Sequence, residues 1–238
     1  PLFPFLILIV FCSVMLSSTT SVLAKEKFND IEGHWAEKII KKWENLGYID
    51  GYLDGSFKPD NPVNRAELSK ILVAAFDLTE VEMVNYDDIS TDDWYYSYLE
   101  KSSKYIPKYP LPTLWEQNIP YSENQLKNNF LPNVNTIRMH VAEALVKIKI
   151  DRENIIIEDV SIQEINRQVQ EVFNDAEYYN LMAIPGTGIP QNVQRMNRYT
   201  WLAHKLNIME GDTEGYFNPY GYMTRAGLIT AIDRILAD

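Results

Sequence analysis

Three arginines end the same short pattern in this 238-residue sequence. The pattern is a phenylalanine, any residue, a proline, five further residues and an arginine, and it ends at Arg65, Arg138 and Arg225. A cation in the first turn of a helix opposes the helix dipole, so an arginine at this place three times indicates an anion nearby. A guanidinium group beside free helix N–H groups is suited to bind a carboxylate. The alternative is an internal salt bridge to acidic residues of a neighbouring repeat.

The residues after each arginine repeat one apolar helix face. Apolar side chains recur three, six, seven and ten positions after the arginine, which is the spacing of a helix that packs on one side. Gly55, Asn128 and Gly215, two residues before the phenylalanines, are types that tolerate a left-handed turn. Glu67 either contacts the ligand or completes a capping box with Asn64. Each unit is therefore predicted to be a helix, a turn-bearing loop and a second helix.

An acidic residue followed by an aliphatic one is predicted to open each unit. The three pairs are Asp30-Ile31, Asp88-Ile89 and Asp159-Val160. The predicted repeats cover residues 28–78, 86–150 and 158–238. The second contains a loop insertion at the proline-rich stretch 106–112, where a helix cannot continue. The third contains a helical insertion that begins with a capping box at Ser161.

Two tryptophans and one glycine-bounded turn are further candidates for ligand contact. Trp35 and Trp94 lie near the first helices of their repeats, where they either stack against a sugar ring or belong to the core. Gly47 opens the stretch Gly47-Tyr48-Ile49-Asp50-Gly51, whose glycines either let the backbone approach a ligand or only form a turn. At these positions both alternatives stay open.

The first 24 residues differ from the rest of the chain. They carry no charged residue, residues 2–16 are almost entirely apolar, and Val22-Leu23-Ala24 has the form of a cleavage site, so we expect residues 1–24 to be a signal peptide of a secreted protein. An uncleaved membrane anchor is the alternative, although the apolar run is short for a span of roughly 20 residues. The single cysteine, Cys12, lies in this segment, so the mature chain would have no disulfide. This suits a Gram-positive exterior.

The charge of the chain limits its partners. A net charge of −11 makes nucleic acid a poor partner. An anionic polymer would also be repelled at long range, so its binding would depend on local cationic pockets. No spacing of cysteine and histidine indicates zinc, and the acidic pairs Asp87-Asp88 and Asp92-Asp93 lack the spacing of a calcium loop. We expect no metal and no cofactor.

The first unit resembles an S-layer homology domain along its whole length. The resemblance rests on these segments: Phe28-Asn29-Asp30-Ile31, Gly33-His34-Trp35-Ala36, Asp54-Gly55-Ser56-Phe57-Lys58-Pro59 and Asn64-Arg65-Ala66-Glu67. The third unit resembles the same family in its second half, through Gly211, Gly215, Phe217, Pro219 and Met223-Thr224-Arg225-Ala226. The second unit retains mainly its opening and its Phe, Pro and Arg. Its His140 replaces the acid of the family's Thr-Arg-Ala-Glu signature, which makes this unit mostly a structural spacer.

The resemblance implies a mainly α fold of three helix-loop-helix repeats. In this family the repeats surround a pseudo-threefold axis, with a central helical bundle and a binding groove between adjacent repeats. The implied partner is a secondary cell-wall polysaccharide attached to peptidoglycan, often pyruvylated, at the cell wall or S-layer of a Gram-positive bacterium. The implied ligand-binding residues are Arg65, Glu67, Arg138 and Arg225, with Trp35, Trp94 and Gly47.

The leading hypothesis is therefore non-catalytic attachment to the cell wall. The alternative is a protein–protein assembly module of the envelope whose grooves have degenerated. A carbohydrate-active enzyme with paired carboxylates is less expected, because no acidic residues form a recognisable catalytic motif.

Overall fold

A computed structural model describes residues 28–107, 128–176 and 191–237, with the side chains of 191–193 excepted. The expected signal peptide and most of the proline-rich insertion lie outside these residues. The described part is mainly helical, as predicted. Its helices are α1 (Glu37–Asn45), α2 (Arg65–Phe76), α3 (Tyr96–Ser102), α4 (Arg138–Glu153), α5 (Ile162–Val172), α6 (Gln191–Lys205) and α7 (Arg225–Leu236).

Three equivalent loops, which precede α2, α4 and α7, hydrogen-bond to one another in a ring. The N–H of Val63 donates to the carbonyl of Met223 at 2.9 Å, Met223 donates to Thr136 at 2.9 Å, and Thr136 donates back to Val63 at 2.8 Å. Each residue lies two positions before the arginine of its repeat. Because every loop gives one bond and takes one, loss of any loop leaves buried main-chain groups unpaired. Such a ring agrees with a pseudo-threefold arrangement of the loops, and the arrangement of the complete repeats stays a prediction.

The core lies around α4, which is buried on most of its circumference. A helix with this burial lies inside a bundle rather than on its surface. α4 packs against α6 and α7, α2 against α3, α1 against α7 and α5 against α6. The contact of α1 with α7 joins the first repeat to the third, where the indole Nε1 of Trp43 donates to Asp233 at 2.8 Å. No helix among the described residues is long and apolar enough to cross a membrane.

An acidic side chain holds the loop of each repeat. The carboxylate of Asp30 accepts hydrogen bonds from the N–H groups of Phe57 and Lys58, at 2.8 and 2.7 Å. The same pair of bonds joins Asp88 to residues 130 and 131, at 2.8 and 2.7 Å, and Asp175 to residues 217 and 218, at 3.0 and 2.7 Å. In the third repeat the equivalent bonds are therefore made by Asp175 and not by Asp159 of the predicted opening pair, while the bounds of the repeat stay a prediction.

Phe173 supports this correction. It lies two residues before Asp175, and its ring centroid is 5.1 Å from that of Phe217. Equivalent ring pairs lie at 5.2 Å in the first repeat, Phe28 with Phe57, and at 5.6 Å in the second, Tyr86 with Phe130. Phe173 and Asp175 thus stand where the first repeat has Phe28 and Asp30. α5, whose N-cap is Ser161 as predicted, connects the second repeat to the third.

The residue between each phenylalanine and proline has a left-handed backbone, with φ of 56° at Lys58, 59° at Leu131 and 51° at Asn218. Asparagine tolerates this conformation better than leucine, for which it costs roughly 1–2 kcal/mol. We expect Leu131→Asn to raise the free energy of unfolding by about 0.5–1 kcal/mol, measured by urea denaturation. Leu131→Ala keeps the strain and should give no gain. A loss of stability in Leu131→Asn would contradict the prediction.

Candidate functional site

The three arginines reach into neighbouring repeats and bind main-chain carbonyl groups there. Arg225 shows the pattern: its Nε donates to the carbonyl of Phe57 at 2.8 Å, and its Nη2 donates to the carbonyl of Asp50 at 2.9 Å. The other two make equivalent bonds: Arg65 to Phe130 (2.6 Å) and Pro107 (2.9 Å), and Arg138 to Phe217 (2.7 Å) and Glu210 (3.0 Å). The planar guanidinium fork suits this pair of hydrogen bonds because its N–H groups are held in fixed directions.

Each guanidinium group also lies over the phenylalanine whose carbonyl it binds. The distance from the guanidinium carbon to the ring centroid is 4.5 Å for Arg65 and Phe130, and the same for Arg225 and Phe57. For Arg138 and Phe217 it is 5.1 Å. A cation above an aromatic face is stabilised by the ring quadrupole. The arginine and the phenylalanine of the repeated pattern therefore join one repeat to the next.

Arg65 is fully buried, and burial lowers its pKa to about 10. Its Nη1 has no hydrogen-bond partner among the described residues. No ligand atom can reach a side chain without exposed surface, so we do not retain Arg65 as a direct ligand contact. Arg225 and Arg138 each line a surface groove, and direct contact by these two stays a prediction.

The first groove, here called the Trp94 groove, has a cavity volume of about 200 Å³. Its walls include Tyr48, Asp50, Tyr52, Glu67, Lys70 and Ala74 of the first repeat, Trp94 of the second, and Arg225 and Ile229 of the third. The turn after α1 forms one wall and α2 forms the other. Three repeats thus contribute to one site.

A second groove, here called the Trp35 groove, has the equivalent construction in the third repeat. Its cavity volume is about 360 Å³. Its walls include Glu210, Asp212, Tyr216, Gly227, Thr230 and Arg234 of the third repeat, Arg138 of the second and Trp35 of the first. Gly227 and Thr230 stand where the Trp94 groove has Glu67 and Lys70, and these smaller side chains leave more space.

The two tryptophans are exposed, with 65% of Trp35 and 58% of Trp94 accessible to solvent. The alternative that they belong to the core is therefore wrong. Each projects from one repeat into the groove of another. An exposed indole beside a groove offers a large, rigid contact surface at a low cost in conformational entropy.

Glu67 forms the predicted capping box. Its N–H donates to Asn64 Oδ1 at 2.8 Å, and its Oε2 accepts from the N–H of Asn64 at 3.0 Å. Its other oxygen, Oε1, is 3.5 Å from the hydroxyl of Tyr52 and lies in the Trp94 groove. Glu67 therefore starts α2 with one oxygen and lines the groove with the other.

Gly47 forms the turn after α1 and lies outside the groove lining, which begins at Tyr48. Its φ of 72° is the reason for a glycine, and its N–H donates to the carbonyl of Glu44 at 2.9 Å. Gly51 does line the groove: a Cβ there would lie 2.4 Å from Phe28 Cε1. For Gly47, the turn explanation is sufficient.

The second repeat has replaced its signature acid with a buried, neutral histidine. Burial and the charges of Arg65 and Arg195 lower the pKa of His140 to about 3. One helical turn further along α4, the buried Glu143 forms ion pairs with Arg195 and Lys147. The ion pair with Arg195 joins α4 to α6, whereas that with Lys147 lies within α4, and the link between the helices agrees with a structural role for this repeat.

Sequence reasoning did not identify Tyr48, Tyr52 and Lys70 as groove residues. Tyr48 directly follows Gly47 and Tyr52 directly follows Gly51, and this arrangement of aromatic residues beside glycines could have indicated a groove wall. Lys70 carries no such signal, because a lysine on an exposed helix face is common. No group of three or more potential metal ligands occurs among the described histidine, cysteine, aspartate and glutamate residues.

The fold and the grooves define a class of mainly helical domains. In this class each repeat binds the next through an arginine, and adjacent repeats line shared surface grooves. The family model of the S-layer homology domain matches residues 27–69 and 202–226. The matched segments lie in the first and third repeats. The first match contains α1 and the start of α2 up to Ser69, and the second runs from the end of α6 to Ala226.

Parts of the chain are similar in sequence to three bacterial proteins named as cell-surface, anchoring or surface-layer proteins. The chain is 46% identical over 54 residues to Cell surface glycoprotein 1 of Acetivibrio thermocellus, which is 23% of this chain and 2% of that protein. It is 32% identical over 74 residues to the Cellulosome-anchoring protein of the same organism, covering 30% and 17%. It is 35% identical over 69 residues to the Surface-layer 125 kDa protein of Lysinibacillus sphaericus, covering 29% and 6%. The chain thus spans less than a fifth of the length of these relatives.

Proposed function

We propose that this chain is a non-catalytic module that anchors a protein to the Gram-positive cell surface by binding an anionic secondary cell-wall polysaccharide. That polymer is attached to peptidoglycan, and a pyruvyl ketal on one of its sugars supplies the carboxylate. The observation that carries the proposal is the Trp94 groove, where an exposed indole, two tyrosines and a lysine line one cavity between repeats.

The groove has the chemistry that an acidic sugar needs. Trp94 and Tyr52 offer aromatic faces to the apolar side of a sugar ring, and Lys70 offers a cation that is 42% exposed. The protein as a whole carries a net charge of −11. Because like charges repel an anionic polymer at a distance, the attraction has to come from a cation inside the groove.

A pull-down with purified wall sacculi of Acetivibrio thermocellus tests the proposal. We expect the chain to bind sacculi that retain their secondary polymer and to lose binding after acid extraction of that polymer. Trp94→Ala should weaken binding by about tenfold, since a central aromatic contact contributes roughly 1–2 kcal/mol. Tyr222→Ala is the matched control, because Tyr222 is exposed but lies outside both grooves.

Other outcomes would favour the alternatives. Binding that persists after extraction would overturn polymer recognition and favour the assembly module, for which envelope proteins would be the partners. Release of reducing sugar from the polymer would instead favour an enzyme. Equal loss of binding in Trp94→Ala and Tyr222→Ala would show that the groove is not the binding site.

A further inference from the structure

The Trp94 and Trp35 grooves share an acidic residue at the same place. The main-chain carbonyls of Asp50 and Glu210 accept the Nη2 hydrogen bonds of Arg225 and Arg138, so the two acids are equivalent. Each carboxylate forms an ion pair with a cation from the second helix of its own repeat. Asp50 pairs with Lys70 at 3.2 Å, and Glu210 pairs with Arg234 at 3.1 Å.

The two cations occupy different positions on otherwise equivalent helices. Lys70 lies five residues after Arg65, whereas Arg234 lies nine residues after Arg225. The difference of four residues is one helical turn, or about 6 Å along the helix axis. The position of Arg234 is taken by Ala74 in the Trp94 groove, and the position of Lys70 is taken by Thr230 in the Trp35 groove.

The kind of cation differs as well. A guanidinium group binds a carboxylate through two parallel hydrogen bonds, whereas an ammonium group acts as a point charge. The Trp35 groove is the larger of the two cavities, at about 360 Å³ against about 200 Å³. It also has no acid at the position of Glu67, where Gly227 stands.

We infer that the two grooves recognise different acidic units of a polysaccharide, and that Lys70 and Arg234 set this specificity by holding the anionic group one helical turn apart. This inference rests on the proposed function. A sugar carboxylate displaces Asp50 or Glu210 from its cation. Both ion pairs are partly exposed, and such pairs contribute little to stability. Replacing the protein carboxylate with the sugar carboxylate therefore costs little free energy.

Moving the cation within a groove tests the inference. Trp35→Ala is used as the background in which only the Trp94 groove is complete, and Trp94→Ala as the background for the Trp35 groove. The probe is secondary polymer released from the Acetivibrio thermocellus sacculi, and its affinity is measured by calorimetry. In the first background the variants are K70A and K70A/A74K, and in the second they are R234A and R234A/T230K.

We expect K70A and R234A each to weaken binding by about tenfold. The relocated cations should not restore it, because net charge is recovered but the position is not. K41A is the control, since Lys41 is a partly exposed lysine outside both grooves. A circular dichroism melt of each variant confirms that it is folded.

Two results would overturn the inference. Full recovery of affinity in the relocated variants would show that position does not matter. A change of less than about twofold in K70A and R234A would show that these cations do not contact the polymer. A wild-type chain that binds neither sacculi nor released polymer would overturn the proposed function itself, and the inference with it.

Discussion

Replacement of Arg65 by alanine is expected to lower the free energy of unfolding by about 4 kcal/mol. The substitution leaves the carbonyl groups of Phe130 and Pro107 without their donors, and it opens a cavity over the ring of Phe130. An unsatisfied buried polar group costs roughly 1–3 kcal/mol, and the cavity adds to that cost. Urea denaturation of the wild type and of Arg65→Ala measures the difference.

Two further variants separate the causes. Arg65→Lys retains the charge but cannot bridge two carbonyls from a single nitrogen, so we expect it to lose about half as much stability as Arg65→Ala. Arg138→Ala should cost less, at about 1–2 kcal/mol, because Arg138 is partly exposed and water can replace its bonds. A loss of less than about 1 kcal/mol in Arg65→Ala would contradict the role of this arginine as a link between repeats.

The expected instability changes how binding data on the arginines are to be interpreted. Loss of wall binding in Arg65→Ala would follow from unfolding as readily as from loss of a ligand contact. Trp94 and Lys70 are better probes of the groove, because both are exposed and neither supports the core. Their substitution tests recognition with little effect on folding.

The arginine pattern was sufficient to find the contacts between repeats but not their nature. The spacing placed Arg65, Arg138 and Arg225 at equivalent positions, which the structure confirms. The dipole argument then predicted an anionic partner. The actual partners are carbonyl oxygens of another repeat, and a main-chain carbonyl carries no sequence signal. The partial negative charge that the arginines require is supplied by the backbone.

The grooves were predictable in part. Trp94 and Trp35 were identified as candidates, but only the structure shows that each projects into the groove of a different repeat. Of the two alternatives for Glu67, capping of α2 is confirmed, and it was open to prediction because a capping box depends on local spacing alone. The ion pair of Lys70 with Asp50 spans 20 residues and two elements, and this long-range contact has no local pattern.

The start of the third repeat shows how an inserted helix misleads a spacing argument. Asp159 precedes a valine and then a helix, as the acidic residues Asp30 and Asp88 precede an isoleucine and then a helix in the first two repeats. Asp175 precedes only an alanine, yet Ala176 is buried where Ile31 is buried in the first repeat. Since α5 occupies residues 162–172, the carboxylate that holds the loop lies about one helix further along the chain than the pattern indicated.

This correction makes a prediction in which two similar aspartates behave differently. Asp175→Ala should lower the free energy of unfolding by about 3 kcal/mol, because it removes two charge-assisted hydrogen bonds to the N–H groups of Phe217 and Asn218. Asp159→Ala should change it by less than about 0.5 kcal/mol, because Asp159 is exposed. Urea denaturation of the two variants compares them directly.

Asp30→Ala serves as the reference, since Asp30 makes the same two bonds in the first repeat. If the three repeats depend on one another through the ring of Val63, Thr136 and Met223, then loosening any loop should destabilise the whole domain in one transition. Asp175→Ala and Asp30→Ala should therefore give single transitions of similar midpoint. A separate early transition in Asp175→Ala would mean that the third repeat unfolds by itself. Equal effects of Asp159→Ala and Asp175→Ala would restore the original position of the repeat.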